Sequence, residues 1–100
     1  MTPEGRVKDA VKKVLKEFGV WYYMPVSTGF QKAGIPDFVG VLPRSGRFIG
    51  IETKAPGKKG NATENQKRIR DELVAQGAVS IIVDDAEEVR RLLEDRKHGT

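Results

Sequence analysis

The sequence predicts one α/β domain in the order αβββαβα, with a four-stranded mixed sheet flanked by helices on both faces. Three observations carry this prediction. The opening segment repeats apolar residues at helical spacing. Two β-rich segments in the middle are joined by a turn so short that they must form an antiparallel hairpin. An apolar run, Ala78 to Val83, follows a segment with a helix-start signature, and such a strand joins the sheet most naturally by a right-handed crossover. At 100 residues the chain has room for one core, so residues 1–100 are read as a single domain.

Each element has its own signal. Over residues 3–18, Val7, Ala10, Val11, Val14, Leu15 and Phe18 fall on one helical face. Thr2 suits the N-cap, Pro3 the first turn and Gly19 the stop, while Lys8, Lys12, Lys13 and Lys16 line the other side. Val20 to Met24 is β-branched and aromatic and reads as a strand ending near Pro25; Trp21, Tyr22 and Tyr23 are expected in the core, with stacking on bases as the alternative. Ser27 to Gly34 is a loop. Residues 36–42 and 47–55 are the hairpin strands, turning through Arg44-Ser45-Gly46. After a Gly- and Lys-containing loop over 56–62, Thr63 and Gln66 spell a capping box that opens a helix to about Gln76, with Gly77 as its stop. Ala78 to Val83 reads as a strand buried on both faces. Asp85 with Glu88 makes a second capping box for a helix through Val89, Leu92 and Leu93, and the tail is expected to fray from Arg96.

Composition narrows the chemistry. With no Cys and a single His, His98, near the C-terminus, disulfides, Cys zinc sites, thiol nucleophiles and Ser-His-Asp triads are set aside. Any hydrolytic site must use carboxylates, Lys, hydroxyls or a hard metal held by oxygen. No apolar run is long enough to cross a bilayer, and no signal-peptide pattern opens the chain, so a soluble cytoplasmic domain without membrane contact is expected. The net charge is +4 and unevenly spread: residues 1–80 carry +6 and residues 81–100 carry −2. The basic excess is densest over 42–70, where Arg44, Arg47, Lys54, Lys58, Lys59, Lys67, Arg68 and Arg70 face only Glu52 and Glu64. Such a segment fits a polyanion such as nucleic acid and equally fits a solvated basic surface.

Three polar residues interrupt the strand pattern. Glu52 and Lys54 are two apart and leave the same face of their strand. If the hairpin turns between Arg44 and Ser45, Val39 stands across from Gly50, Val41 from Phe48, and Asp37 from Glu52. A slip of one residue would send the two acids to opposite faces. Two opposed carboxylates repel, so the pair either raises a pKa or binds a cation. A hard divalent ion, Mg²⁺ or Mn²⁺, suits two such oxygens, and Lys54 adds a compact positive charge for a phosphate or a nucleophilic water. Taken singly, Asp37 after Pro36 reads equally as a turn residue, and Glu-x-Lys as surface charge.

The set Gly34-Ile35-Pro36-Asp37, Glu52-Thr53-Lys54 and Thr63-x-x-Gln66 resembles the PD-(D/E)xK nuclease superfamily, and more narrowly its stand-alone VRR-NUC domains. The resemblance spans about residues 3–90. It implies a restriction-endonuclease-like fold and a metal-dependent endonuclease of branched DNA, such as four-way junctions or flaps, working as a homodimer in processes such as DNA repair. It implies that Asp37, Glu52 and the Thr53 carbonyl bind metal, that Lys54 is the catalytic lysine, and that Gln66 and Glu4 border the site. Capping explains Gln66 equally well, and the helix dipole explains Glu4. Lys32, Lys58, Lys59, Arg44 and Arg47 are candidates for DNA contact, Lys32 first among them. A less selective nickase, a restriction-type enzyme and a non-catalytic DNA-binding module are the alternatives.

Overall fold

The computed structural model describes residues 1–26, 28–30 and 32–99, with side chains through Arg96. Ser27 and Gln31, in the expected 27–34 loop, lie outside the described residues, as does the side chain of His98. Helix α1 (Pro3–Glu17) leads to strand β1 (Trp21–Tyr23), then to the hairpin of β2 (Phe38–Val41) and β3 (Phe48–Thr53). A short 3-10 turn (Lys59–Asn61) precedes α2 (Glu64–Ala75), which crosses to β4 (Val79–Val83) and is followed by α3 (Ala86–Gly99). The strands lie in the order β1-β2-β3-β4, antiparallel for the first three and parallel between β3 and β4. This is the expected mixed α/β sheet.

The hairpin register is the one that the short turn required: Phe38 pairs with Ile51, Val39 with Gly50, Gly40 with Ile49 and Val41 with Phe48. Its loop is tight. Leu42 N–H donates to the Arg47 carbonyl at 2.8 Å, and Ser45 N–H reaches back to the Pro43 carbonyl at 2.8 Å. The three-residue turn so formed puts Arg44 at φ 69°, a left-handed conformation strained for a residue with a β-carbon.

Period-two alternation sorts the sheet into two faces. Phe38, Leu42, Ile49, Ile51, Val79 and Val83 meet Val7, Val11, Val14 and Leu15 of α1 and Val89 and Leu93 of α3 in the main core. Each fully buried aliphatic or aromatic side chain there contributes roughly 1.5–3 kcal/mol of burial. On the other face α2 packs against β4, with Ile69, Ala62 and Ile82 buried. That helix reaches only the β3–β4 half, so Val41 and Phe48 are 41% and 38% exposed.

Several expectations need correction. Of the three aromatics in β1, only Tyr22 joins the core, tilted against Phe38 with ring centroids 5.6 Å apart; Trp21 and Tyr23 point to the uncovered half-face and are exposed. The last helix does not end at Arg96 but continues to Gly99. Its start is not a closed capping box either. Asp85 Oδ1 accepts from Glu87 N–H at 2.9 Å, while the Glu88 carboxylate pairs with Lys59. The capping box of α2, in contrast, is complete.

Candidate active site

The two acids and the lysine meet where β3 ends and β2 begins, beside the N-terminal turns of α1 and α2. Asp37 stands one residue before β2, and the ladder register carried one step further sets it opposite Glu52. Its carboxylate is firmly held. Asp37 Oδ2 accepts from Thr53 N–H at 2.9 Å and from the Thr53 hydroxyl at 2.7 Å. Ladder alternation explains the first bond. Leu42 and Arg47 are a hydrogen-bonded pair, so every second residue of β3 offers its N–H toward β2, and Thr53 is the last of them. Pro36 would be its partner, and the Asp37 side chain takes that place. The Thr53 carbonyl leaves the strand on the same edge, toward Asp37.

Backbone close approach fixes the segment that delivers Asp37. Gly34 has φ 85°, and a β-carbon there would sit 2.5 Å from the Asn65 carbonyl oxygen. The chain thus passes directly against the first turn of α2. Pro36 then packs over Gly50 of β3, where a β-carbon would approach its ring to 3.0 Å. Both glycines are therefore part of how the Gly-Ile-Pro-Asp segment is seated.

Glu52 is 7% exposed. Its Oε2 accepts from Gln66 Nε2 at 3.0 Å and lies 3.7 Å from Lys54 Nζ, whose side chain is itself largely buried. Among the described residues its Oε1 is buried with no hydrogen-bond partner. Burial pushes the Glu52 carboxyl up, and the adjacent Asp37 charge adds to the rise, which Lys54 and Lys8 only partly oppose; the pKa reaches about 8. Gln66 serves two purposes at once. Its Oε1 accepts from Thr63 N–H at 2.9 Å to complete the capping box, and its amide nitrogen is then aimed at Glu52.

Glu4 and an unforeseen partner complete the cluster. Lys8 does not point away with Lys12, Lys13 and Lys16; its Nζ lies 2.6 Å from Glu4 Oε2 and 3.7 Å from Asp37 Oδ2. Burial opposes its charge, but the Glu4 hydrogen bond and the Asp37, Glu4 and Glu52 charges outweigh it and hold the Lys8 pKa above the ordinary lysine value. The sequence carries one trace of this: Glu4 and Lys8 are spaced i, i+4, so a site near Glu4 implies one near Lys8.

The basic residues expected to meet DNA are dispersed. Lys32 is exposed and 3.5 Å from Glu72 on α2. Arg47 donates from Nε to the Gly77 carbonyl at 3.0 Å, just past the end of α2. The Lys59 ammonium pairs with Glu88, and its N–H donates to Asp84 at 3.2 Å. Lys58 and Arg44 are exposed.

This donor set fits a small hard cation. Among the described residues no group of three or more acidic, His or Cys side chains converges, so carboxylate ligation would come from the pair alone. One or two carboxylates, completed by water and substrate oxygens, is how Mg²⁺ is ordinarily held. The unpartnered Glu52 Oε1 is a buried acceptor that a cation would satisfy.

A mixed sheet with paired acids and a lysine at its strand ends has the layout of a nuclease-type α/β domain. Two solved structures agree with it. One, described as a VRR_NUC domain, aligns over 100% of both chains with a TM-score of 0.74 at 26% identity. Another, a VRR_NUC domain protein, aligns over 92% of this chain and 85% of its own with a TM-score of 0.68 at 20% identity. No family model and no curated protein matches the chain. The chain has the fold of a VRR-NUC domain, a nuclease-family fold.

Proposed function

We propose that this protein is a divalent-metal-dependent DNA endonuclease that hydrolyses phosphodiester bonds. One observation carries the reading: Asp37 and Lys54 both stand beside Glu52, whose Oε1 is buried with no hydrogen-bond partner among the described residues. Mg²⁺ or Mn²⁺ held by Asp37, Glu52 and the Thr53 carbonyl would supply charge stabilisation at the scissile phosphate and lower the pKa of a bound water. Lys54 orients the attacking water and offsets the charge developing on the phosphate. Gln66 keeps the Glu52 carboxylate turned toward the pair. Glu4 borders the site from α1. The exposed cations Lys58 and Arg44 and the paired Lys32, Arg47 and Lys59 contribute phosphate contacts, which recognise backbone shape rather than base sequence.

The substrate we favour is branched DNA, four-way junctions or flaps, cut by a homodimer whose two sites address two strands. The test is cleavage of labelled junction, flap and duplex DNA in Mg²⁺, Mn²⁺ or EDTA, with molar mass measured in parallel. Cleavage should require metal and fall by about a hundredfold to a thousandfold, in folded protein, in Asp37→Ala, Glu52→Ala and Lys54→Ala. Full activity in folded Asp37→Ala would refute the site. Equal cutting of duplex and junction would refute the structure preference alone.

A further inference from the structure

Helix α1 brings a second ammonium group to the site, and neither the motif nor the hairpin accounts for it. Lys8 Nζ is 2.6 Å from Glu4 Oε2, one turn earlier on the helix, and 3.7 Å from Asp37 Oδ2, at the mouth of the sheet. Its side chain is only 26% exposed. Its neighbours explain its direction: Val7 and Val11 are buried in the main core, so Lys8 stands at the border of that stripe, facing the strand ends. Asp37 Oδ2 thus accepts two hydrogen bonds from β3, the Thr53 N–H and hydroxyl, and has the α1 ammonium beside it as an ion-pair partner. Contacts that converge on one oxygen restrict the rotation of a carboxylate and leave its second oxygen out of that set.

We propose that Lys8 is a positioning residue of the site: shared between Glu4 and Asp37, its ammonium locks α1 to the strand end and holds Asp37 in the orientation that presents its remaining oxygen to a divalent ion. The proposal rests on the metal-dependent reading above. It carries a sign that distinguishes it from simple electrostatics. A positive charge this near the carboxylates repels a dication, so removing it would tighten metal binding if charge were all that mattered. Positioning predicts the reverse, because loss of an outer-sphere partner typically weakens metal affinity by tenfold or more.

The experiment is Mn²⁺ titration calorimetry on the full chain without DNA, for wild type, Lys8→Met and Lys8→Arg, together with a double-mutant cycle of Lys8→Met and Asp37→Asn on the melting temperature in EDTA. The expected result is Mn²⁺ affinity about tenfold weaker in Lys8→Met, partly restored in Lys8→Arg, and non-additive melting shifts. On junction DNA at saturating Mn²⁺, Lys8→Met should recover most of its kcat, with KM for DNA unchanged. Unaltered or tighter Mn²⁺ binding in Lys8→Met overturns the proposal, as do additive melting shifts. A raised KM for DNA with unchanged Mn²⁺ affinity would make Lys8 a phosphate contact and also overturns it. Wild-type protein that binds no Mn²⁺ defeats the metal reading itself; non-additive shifts in that case reduce Lys8 to a tie between α1 and Asp37. Should Lys8→Met not fold, Lys8→Arg and Glu4→Gln are titrated in its place, and Mn²⁺ affinity unchanged in both is the overturning result.

Discussion

The two carboxylates of the site live under opposite conditions. Asp37 is held by the Thr53 N–H, the Thr53 hydroxyl and the Lys8 ammonium, so its charge is part of what keeps the strand end and α1 together. Glu52 is more deeply buried, receives Gln66 on one oxygen, and leaves the other with no hydrogen-bond partner among the described residues. One acid is satisfied by the fold, while the other is tolerated by it. A buried polar atom left unpaired costs about 1–3 kcal/mol, and proteins keep such costs where function requires them. The contrast is between a firmly held acid and a buried acceptor left over, which the proposed cation would satisfy.

Stability measurements can break this contrast most directly. Asp37→Asn removes the charge that faces two Thr53 donors and the Lys8 ammonium and should destabilise the protein by about 1.5–3 kcal/mol, as read from urea unfolding at pH 7. Glu52→Gln should act in the other direction. The Glu52 carboxyl holds its proton to about pH 8 in the fold, against 4.5 as its ordinary value. Between those limits the folded chain binds more protons than the unfolded one, so this group's contribution declines as pH rises from about 4.5 to about 8 and is flat beyond. Glu52→Gln escapes that decline. Its advantage over wild type should therefore grow across the window, to about 1–3 kcal/mol at pH 8.5. A Glu52→Gln variant that loses stability at every pH would show that this acid is as well satisfied as Asp37.

Metal affinity sharpens the same comparison. With Glu52 as a ligand of the proposed ion, its proton must leave on binding, so Mn²⁺ binding at pH 7 should release close to one proton. The affinity should rise by roughly tenfold per pH unit until about pH 8 and then level off. Calorimetry in buffers of different ionisation enthalpy measures the proton count directly. No proton release at pH 7 would mean that the pair is already fully ionised.

The smallest effect contrasts the site with the hairpin tip. Arg44 occupies a left-handed turn position without the close contacts that surround Asp37. Arg44→Gly should raise stability by about 0.5–1 kcal/mol, measured by thermal unfolding. If Arg44 contacts phosphate, the same variant should weaken DNA binding and lower its salt dependence by about one unit of slope. A stability gain with unchanged binding would leave Arg44 as a turn residue only.

Much of this arrangement was legible in the chain because the rules involved are local. A short turn and a period of two fix which residues oppose one another, so Asp37 could be set across from Glu52 before any coordinates. Thr63 and Gln66 announced the start of α2, and the structure adds that a capping side chain can use its second polar atom on Glu52. Where neighbours distant in sequence decide, the reading failed. Trp21 and Tyr23 have strand propensity, and propensity is silent on whether a helix covers their face; α2 reaches only as far as β3 and β4. Glu88 fits a capping box, yet Lys59 from another loop claims it.

The sequence by itself determined the order of elements, the hairpin register and the meeting of two acids with a lysine, since spacing along a chain sets side-chain direction within each element. Only the tertiary structure decided that Lys8 turns inward to Glu4 and Asp37, and that one oxygen of Glu52 is buried away from every donor of the described residues. Both depend on how α1 and α2 dock against the end of the sheet, and burial and Coulomb energies are set by distances through space that no spacing along the chain encodes.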